Sequence, residues 1–224
     1  MSAPFLNSPT PTAALEFESI DIQWPDSQRS PPPRIHATKW QDTPKQGRTL
    51  RRQAQSTLAR QTMEKLLADM RPRPGAPAWT LQKQVCGQLN VHGLDAPAIS
   101  ISHSKEWVVC AAGHVLRLGV DVEGLRRLDW ATAAGLALHP TEANWVLAAQ
   151  GTEQQWRGLQ CWTGKEALLK AIGPTPERWT QITQVAFSPT GQLLTLPASW
   201  GSPTDWTTHC WRLTQGAVLS VAWQ

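Results

Sequence analysis

The run Gly119-Val120-Asp121-Val122-Glu123 constrains this chain more than any other. Side chains two apart on a strand share a face, so Val120 and Val122 face a core while Asp121 and Glu123 stand side by side on the opposite surface. Paired hard oxygens are what Mg²⁺ requires, above all where a phosphate supplies the remaining ligands. Taken alone, such an acidic pair is explained more simply as a solvated strand end.

The surrounding pattern sets the fold class. β-prone runs at 99–102, 107–112 and 116–123 are separated by turn residues at Ser104-Lys105 and Gly113-His114, which predicts a meander of short strands. Helical patterns follow at 130–138, at 141–150 after the His139-Pro140 break, and at 155–172, where Gly173-Pro174 stops the helix. Strand-like runs return at 183–187, 192–196, 207–213 and 218–223, with 188–192 as a hairpin turn. Upstream, Leu50, Ala54, Leu58, Leu66 and Met70 fall on helical spacing, and the proline-broken stretch 71–75 ends that helix. Seven of the 18 prolines lie in the first 33 residues, so a loose arm is expected over 1–18, then one strand around Ile20, Ile22 and Trp24. Strands and helices in both halves predict an α+β chain of two similar-sized subdomains, 19–118 and 119–224.

Composition narrows the function classes. With 41% hydrophobic and 17% charged residues, the 224-residue chain has ample material for a core. No apolar run approaches the roughly 18 residues that span a bilayer, and the first residues lack the basic start and apolar centre of a signal peptide, so a cytoplasmic protein with no membrane partner is expected. The four cysteines form no CxxC pair and read as reduced, small core residues. The net charge of +4 is uneven: 14 of the 21 basic residues but only nine of the 17 acidic ones lie within 1–118. A basic first half points to an anionic partner.

Three further signals accompany the acidic strand. In Trp162-Thr163-Gly164-Lys165-Glu166-Ala167-Leu168-Leu169-Lys170, residues Trp162, Glu166 and Lys170 are successive i, i+4 neighbours on a helix. Glu166 is a candidate metal ligand or general base and Lys170 a candidate for neutralising phosphate charge; an ordinary Glu to Lys helix pair is the plainer account. Ser102-His103-Ser104 ends a strand run, where hydroxyls and an imidazole could meet phosphate oxygens; as an isolated tripeptide it reads as a turn. No GxSxG elbow surrounds either serine, and Ser102 and His103 point to opposite faces, which disfavours a serine hydrolase. Arg48, Arg52 and Arg60 form a basic stripe that is either a solvated helix face or a phosphate contact. The chain has no P-loop, no GxGxxG and no histidine pair at metal-ligand spacing.

The order SHS, GVDVE and WTGKEALLK resembles the signature of the Sfp-like 4'-phosphopantetheinyl transferases. The likeness extends to Leu138-His139-Pro140-Thr141-Glu142, similar to the family's F-S-x-x-E segment, and to Leu58-Ala59-Arg60, similar to the opening of its N-terminal helix. It covers about 60–224. The resemblance implies a pseudo-twofold arrangement of two subdomains, with coenzyme A and Mg²⁺ between them and an apo acyl or peptidyl carrier protein as acceptor. The chain would then move 4'-phosphopantetheine to a carrier serine and release adenosine 3',5'-bisphosphate, in fatty acid, polyketide or nonribosomal peptide biosynthesis. By the same resemblance Asp121, Glu123 and Glu166 hold the metal, and Glu166 and Lys170 are catalytic. Arg60, Ser102, His103, Lys165 and Lys170 are matched to coenzyme A, with His103 and Arg60 near its 3'-phosphate. One departure is clear: where relatives carry G-(K/R)-P, this chain has His92-Gly93-Leu94-Asp95-Ala96-Pro97, so Lys83 or Lys105 is expected to supply the missing cation.

A catalytically silent carrier-binding scaffold is the rival closest to this reading, and the unbroken carboxylate set argues against it. A single-stranded nucleic-acid binder would need tryptophans beside the basic stripe, yet nine of the 13 lie in 119–224, so no nucleic-acid partner is expected. The size and two-part form favour a monomer.

Overall fold

The strand expected after the proline-rich arm is present, and it has a neighbour that the sequence did not announce. In a computed structural model of the chain, which describes residues 18–21, 32–39, 48–70, 79–83, 89–214 and 216–224, β1 (Glu18–Asp21) pairs antiparallel with β2 (Arg34–Lys39). The expected arm, and Ile22 and Trp24 of the expected strand, lie outside the described residues. Next come α1 (Arg48–Asp69), a small hairpin of β3 (Thr80–Lys83) and β4 (Leu89–His92), and a larger hairpin of β5 (Ala98–Ser104) and β6 (Trp107–Gly113). β7 (Leu118–Gly124) carries the acidic pair. It leads into α2 (Trp130–Ala137), α3 (Pro140–Leu147), the 22-residue α4 (Gly151–Ile172) and the short α5 (Pro176–Thr180). Two short strands, β8 (Ala186–Phe187) and β9 (Leu193–Thr195), precede the long hairpin of β10 (Thr207–Leu213) and β11 (Ala217–Trp223). The fold is α+β, as the alternating patterns predicted.

The predicted meander is corrected at its third strand. β5 and β6 form a hairpin in a sheet of order β1-β2-β6-β5, but β7 leaves that sheet and becomes an edge of a second one, β10-β11-β7. The cause is long-range: β7 pairs with the mostly apolar β11 over its whole length, Leu118 opposite Trp223 through Gly124 opposite Ala217. The two sheets then pack face to face. Ile35, Ala37, Trp107, Val109 and Ala111 from the first meet Val120, Val122, Leu219, Val221 and Trp223 from the second in one buried cluster.

β6 explains why its sequence shows no alternation. Its odd-numbered residues Trp107, Val109 and Ala111 enter the core between the sheets, while Val108, Cys110 and Ala112 pack beneath Leu58, Ala59, Met63, Leu66 and Leu67 of α1. A strand covered on both faces needs apolar residues throughout. On the far side of the second sheet, α4 lays Ala167, Leu168 and Leu169 against Val185, Phe187, Trp200, Trp206 and Ala222.

The described cysteines Cys110, Cys161 and Cys210 are free thiols. Burial pushes Cys110 up to about 12 and raises the other two, so none is a thiolate at neutral pH. Cys86 lies outside the described residues. Among those residues no helix is long and apolar enough to cross a membrane.

Candidate active site

Glycine at 119 lets the helix reach the acidic strand. A Cβ placed there would lie 1.8 Å from the Ala167 carbonyl oxygen and 2.6 Å from the Ala171 amide nitrogen, so α4 crosses β7 with its backbone against that residue. The close crossing sets Glu166 and Lys170 over the face of β7 that carries Asp121 and Glu123. Lys170 Nζ donates to Asp121 Oδ1 at 2.7 Å. As the period-two pattern predicted, Val120 and Val122 are buried in the inter-sheet core and the carboxylates take the opposite face.

β5 meets the edge of β7 with serines. Ser102 Oγ donates to Asp121 Oδ1 at 2.7 Å and accepts the Val122 N–H at 3.3 Å. Ser104 Oγ donates to Glu123 Oε2 at 2.7 Å, and that oxygen also takes Arg126 Nη1 at 2.7 Å. Ser100 Oγ accepts the Val120 N–H at 3.0 Å.

The electrostatics follow from crowding three carboxylates in a partly dry place. Burial raises the Asp121 carboxyl above its ordinary value, with the Lys170 ammonium opposing it. Burial, followed by the charges of Asp121 and Glu123, pushes Glu166 up to about 7. Among the described residues no three histidine, cysteine, aspartate or glutamate side chains are grouped closely enough to hold a metal ion as they stand. Even so, Asp121 Oδ2 is buried with no hydrogen-bond partner, an arrangement that is costly unless a cation completes it. Carboxylate oxygens such as those of Asp121, Glu123 and Glu166 are the hard donors that Mg²⁺ takes.

That cleft has a volume of about 530 Å³ and runs between α1, β3, β5 and the end of α4. Arg60, Lys83, His103 and Lys170 line it, with Ile101 and Pro174 among its apolar walls. Arg60 is tied across it, Nε to Glu64 Oε1 at 2.9 Å and Nη2 to the Leu81 carbonyl at 3.3 Å. Of the two bases expected to replace the absent G-(K/R)-P cation, Lys83 lines the cleft, whereas Lys105 occupies the β5–β6 turn with φ 38°. Arg52 is exposed on α1, and the side chain of Arg48 lies outside the description.

Two expected roles are revised. Lys165, assigned to coenzyme A with Lys170, is fully buried and turned away from the cleft: its Nζ bonds Glu142 Oε2 at 2.8 Å and the Ile182 and Val185 carbonyls at 3.0 and 2.6 Å. Helix arithmetic carries the signal, since Lys165 and Lys170 are separated by about 140° around the axis and Glu166 and Lys170 by about 40°. Glu142 also caps α3 from the His139 N–H at 2.9 Å and accepts the Phe187 N–H at 2.8 Å, so the Leu138 to Glu142 motif builds an internal ion pair. Ser102, also assigned to coenzyme A, is buried, with its hydroxyl committed to Asp121, Val122 and Lys170. Two contributors were missed. Arg126 holds Glu123, and Arg178 donates to the Ile172 and Gly173 carbonyls, satisfying the end of the helix that carries Lys170. Trp162 packs tilted against Trp179, ring centroids 6.1 Å apart.

Fold and site define an α+β protein with a carboxylate cluster at the side of a cation-walled cleft suited to a phosphate-bearing ligand. Residues 117–222, which include β7 and α4, match the family model of the 4'-phosphopantetheinyl transferase superfamily. It is similar to the 4'-phosphopantetheinyl transferase gsp of Aneurinibacillus migulanus, 36% identical over 74 residues, which is 33% of this chain and 30% of the relative. It is also similar to the 4'-phosphopantetheinyl transferase HetI of Nostoc sp., 31% identical over 102 residues, 44% of this chain and 43% of the relative. The chain thus spans less than half the length of either relative in these matches.

Proposed function

We propose that the chain transfers 4'-phosphopantetheine from coenzyme A to a serine hydroxyl of an apo acyl or peptidyl carrier protein, with Mg²⁺, releasing adenosine 3',5'-bisphosphate. The observation that carries this reading is the buried, unpartnered Asp121 Oδ2 in a carboxylate cluster bordered by a cleft with four basic side chains. Coenzyme A bears a pyrophosphate and a 3'-phosphate, and Arg60, Lys83 and His103 line the cleft with donors suited to such groups. Residues 19–118 would be the phosphate-binding subdomain and 119–224 the metal-binding and catalytic one.

In the proposed reaction, the carrier serine oxygen bonds to the phosphorus nearest pantetheine, and the bond from that phosphorus to the bridging oxygen breaks. Glu166 receives the serine proton at a carboxylate oxygen. Lys170, which donates to Asp121 and Ser102, offers its remaining ammonium proton to the pyrophosphate and balances charge on the leaving oxygen. Mg²⁺ held by Asp121, Glu123 and Glu166 would neutralise phosphate charge when bound. The deciding experiment is to incubate the protein with coenzyme A, Mg²⁺ and several apo carriers and weigh the carriers. A gain of one phosphopantetheine, abolished by EDTA, is expected; no gain on any carrier rejects the reading.

A further inference from the structure

An edge strand leaves N–H groups without a strand to receive them. β7 borders its sheet, and the N–H groups of Val120, Val122 and Gly124 end instead on Ser100, Ser102 and Ser104 Oγ, at 3.0, 3.3 and 3.5 Å. Both strands repeat every two residues, so the three rungs stay in step. The rungs differ in what stands beside them on β7. The first adjoins Gly119 and has no carboxylate. The second and third adjoin Asp121 and Glu123, and each hydroxyl donates its own proton to a carboxylate oxygen at 2.7 Å.

A serine hydroxyl has one proton and two lone pairs. Ser102 gives its proton to Asp121 Oδ1 and its lone pairs to the Val122 N–H and Lys170 Nζ, the latter at 2.9 Å, which leaves nothing for a ligand. The engaged oxygen is Oδ1, and the orphaned oxygen is Oδ2. The serine therefore selects which oxygen of the carboxylate is held by protein and which is left over.

We propose that Ser102 and Ser104 are positioning residues for the cation: by holding one oxygen of Asp121 and one of Glu123, they present the other to a divalent ion and set its affinity. This rests on the metal-dependent reading above. Such supporting hydrogen bonds typically change metal affinity on the order of 10–100-fold when removed.

The test uses Mn²⁺ as probe, with free Mn²⁺ followed by electron paramagnetic resonance as full-length protein is added without coenzyme A, and with melting curves recorded in parallel. S104A is expected to weaken Mn²⁺ binding on the order of 10-fold, and S104T to restore most of it. S100A removes a rung that serves no carboxylate, so it is expected to lower the melting temperature while keeping Mn²⁺ affinity. S104C, of similar volume and a poorer donor, serves if S104A does not fold, and is expected to weaken binding less. Equal affinity in wild type and S104A, or equal weakening in S100A and S104A, overturns the inference alone. A wild-type protein that takes up no Mn²⁺ at millimolar concentration overturns the metal reading and this inference with it.

Discussion

Lys165 and Glu166 are neighbours on α4, about 100° apart around its axis, and have different surroundings. Lys165 lies fully buried against Glu142 at 2.8 Å, whereas Glu166 feels the charges of Asp121 and Glu123. The helix thus divides a consecutive pair between an internal ion pair and the proposed catalytic carboxylate. Replacing Lys165 with Met strands the Glu142 carboxylate in the core, and a loss of about 3–5 kcal/mol is expected. Chemical denaturation measures that loss. Calorimetry on the folded fraction should give wild-type coenzyme A affinity, and a large fall in affinity would return Lys165 to the ligand.

Glu166 also makes stability depend on pH in a predictable direction. Its carboxyl is raised from 4.5 to about 7 in the folded state, so the native chain keeps a proton that the unfolded chain releases in that window. Without metal, this residue's contribution to stability is fully present below pH 4.5 and is lost as pH rises through 7. E166Q carries no such penalty. In EDTA it is expected to match wild type at the acid end and to be more stable by about 1–2 kcal/mol at alkaline pH, allowing for partial solvent screening, while transfer is nearly abolished. Melting curves that run parallel across pH would contradict the assignment.

Gly119 tests the helix crossing. With a methyl group forced 1.8 Å from the Ala167 carbonyl, G119A must move α4 or β7. The expected cost is about 1–3 kcal/mol, and displacement of Glu166 and Lys170 should lower the transfer rate by on the order of 100-fold. A variant with normal melting and normal turnover would show that the crossing is looser than described.

The cations of the cleft should separate by ligand group. R60A and K83A are each expected to weaken coenzyme A binding by about 10-fold, the scale of one charge-assisted contact. If Arg60 meets the 3'-phosphate, its loss should matter little for dephospho-coenzyme A. Titration calorimetry with both ligands gives the comparison, and R60A that weakens both equally moves Arg60 to another phosphate.

Local patterns carried the elements and long-range pairing did not. The acidic strand, the helix ending at Gly173-Pro174 and the hairpin turn before β9 were legible because period, breakers and turn residues are written within a few positions. β7 reads as the third strand of a meander because nothing within it names β11, almost 100 residues on, as its partner. β2 was hidden behind three prolines, and its burial pattern becomes meaningful only beside β6. In the site, the carboxylates and Lys170 were found from spacing. Arg126 was not, because a loop arginine three residues beyond Glu123 carries no period, and the task of the serines depends on a strand from another sheet.

The place of β7 at the edge of the second sheet has a consequence for the order in which the protein can be made. Its backbone partner is β11, so the acidic strand is translated long before the segment that completes its sheet. Closing so wide a loop is slow compared with forming the β5–β6 hairpin or α1. During synthesis the cation-bearing wall can assemble first, and the carboxylates take their final places only after Trp223 leaves the ribosome. The nascent chain therefore gathers its basic residues before its carboxylates are in place.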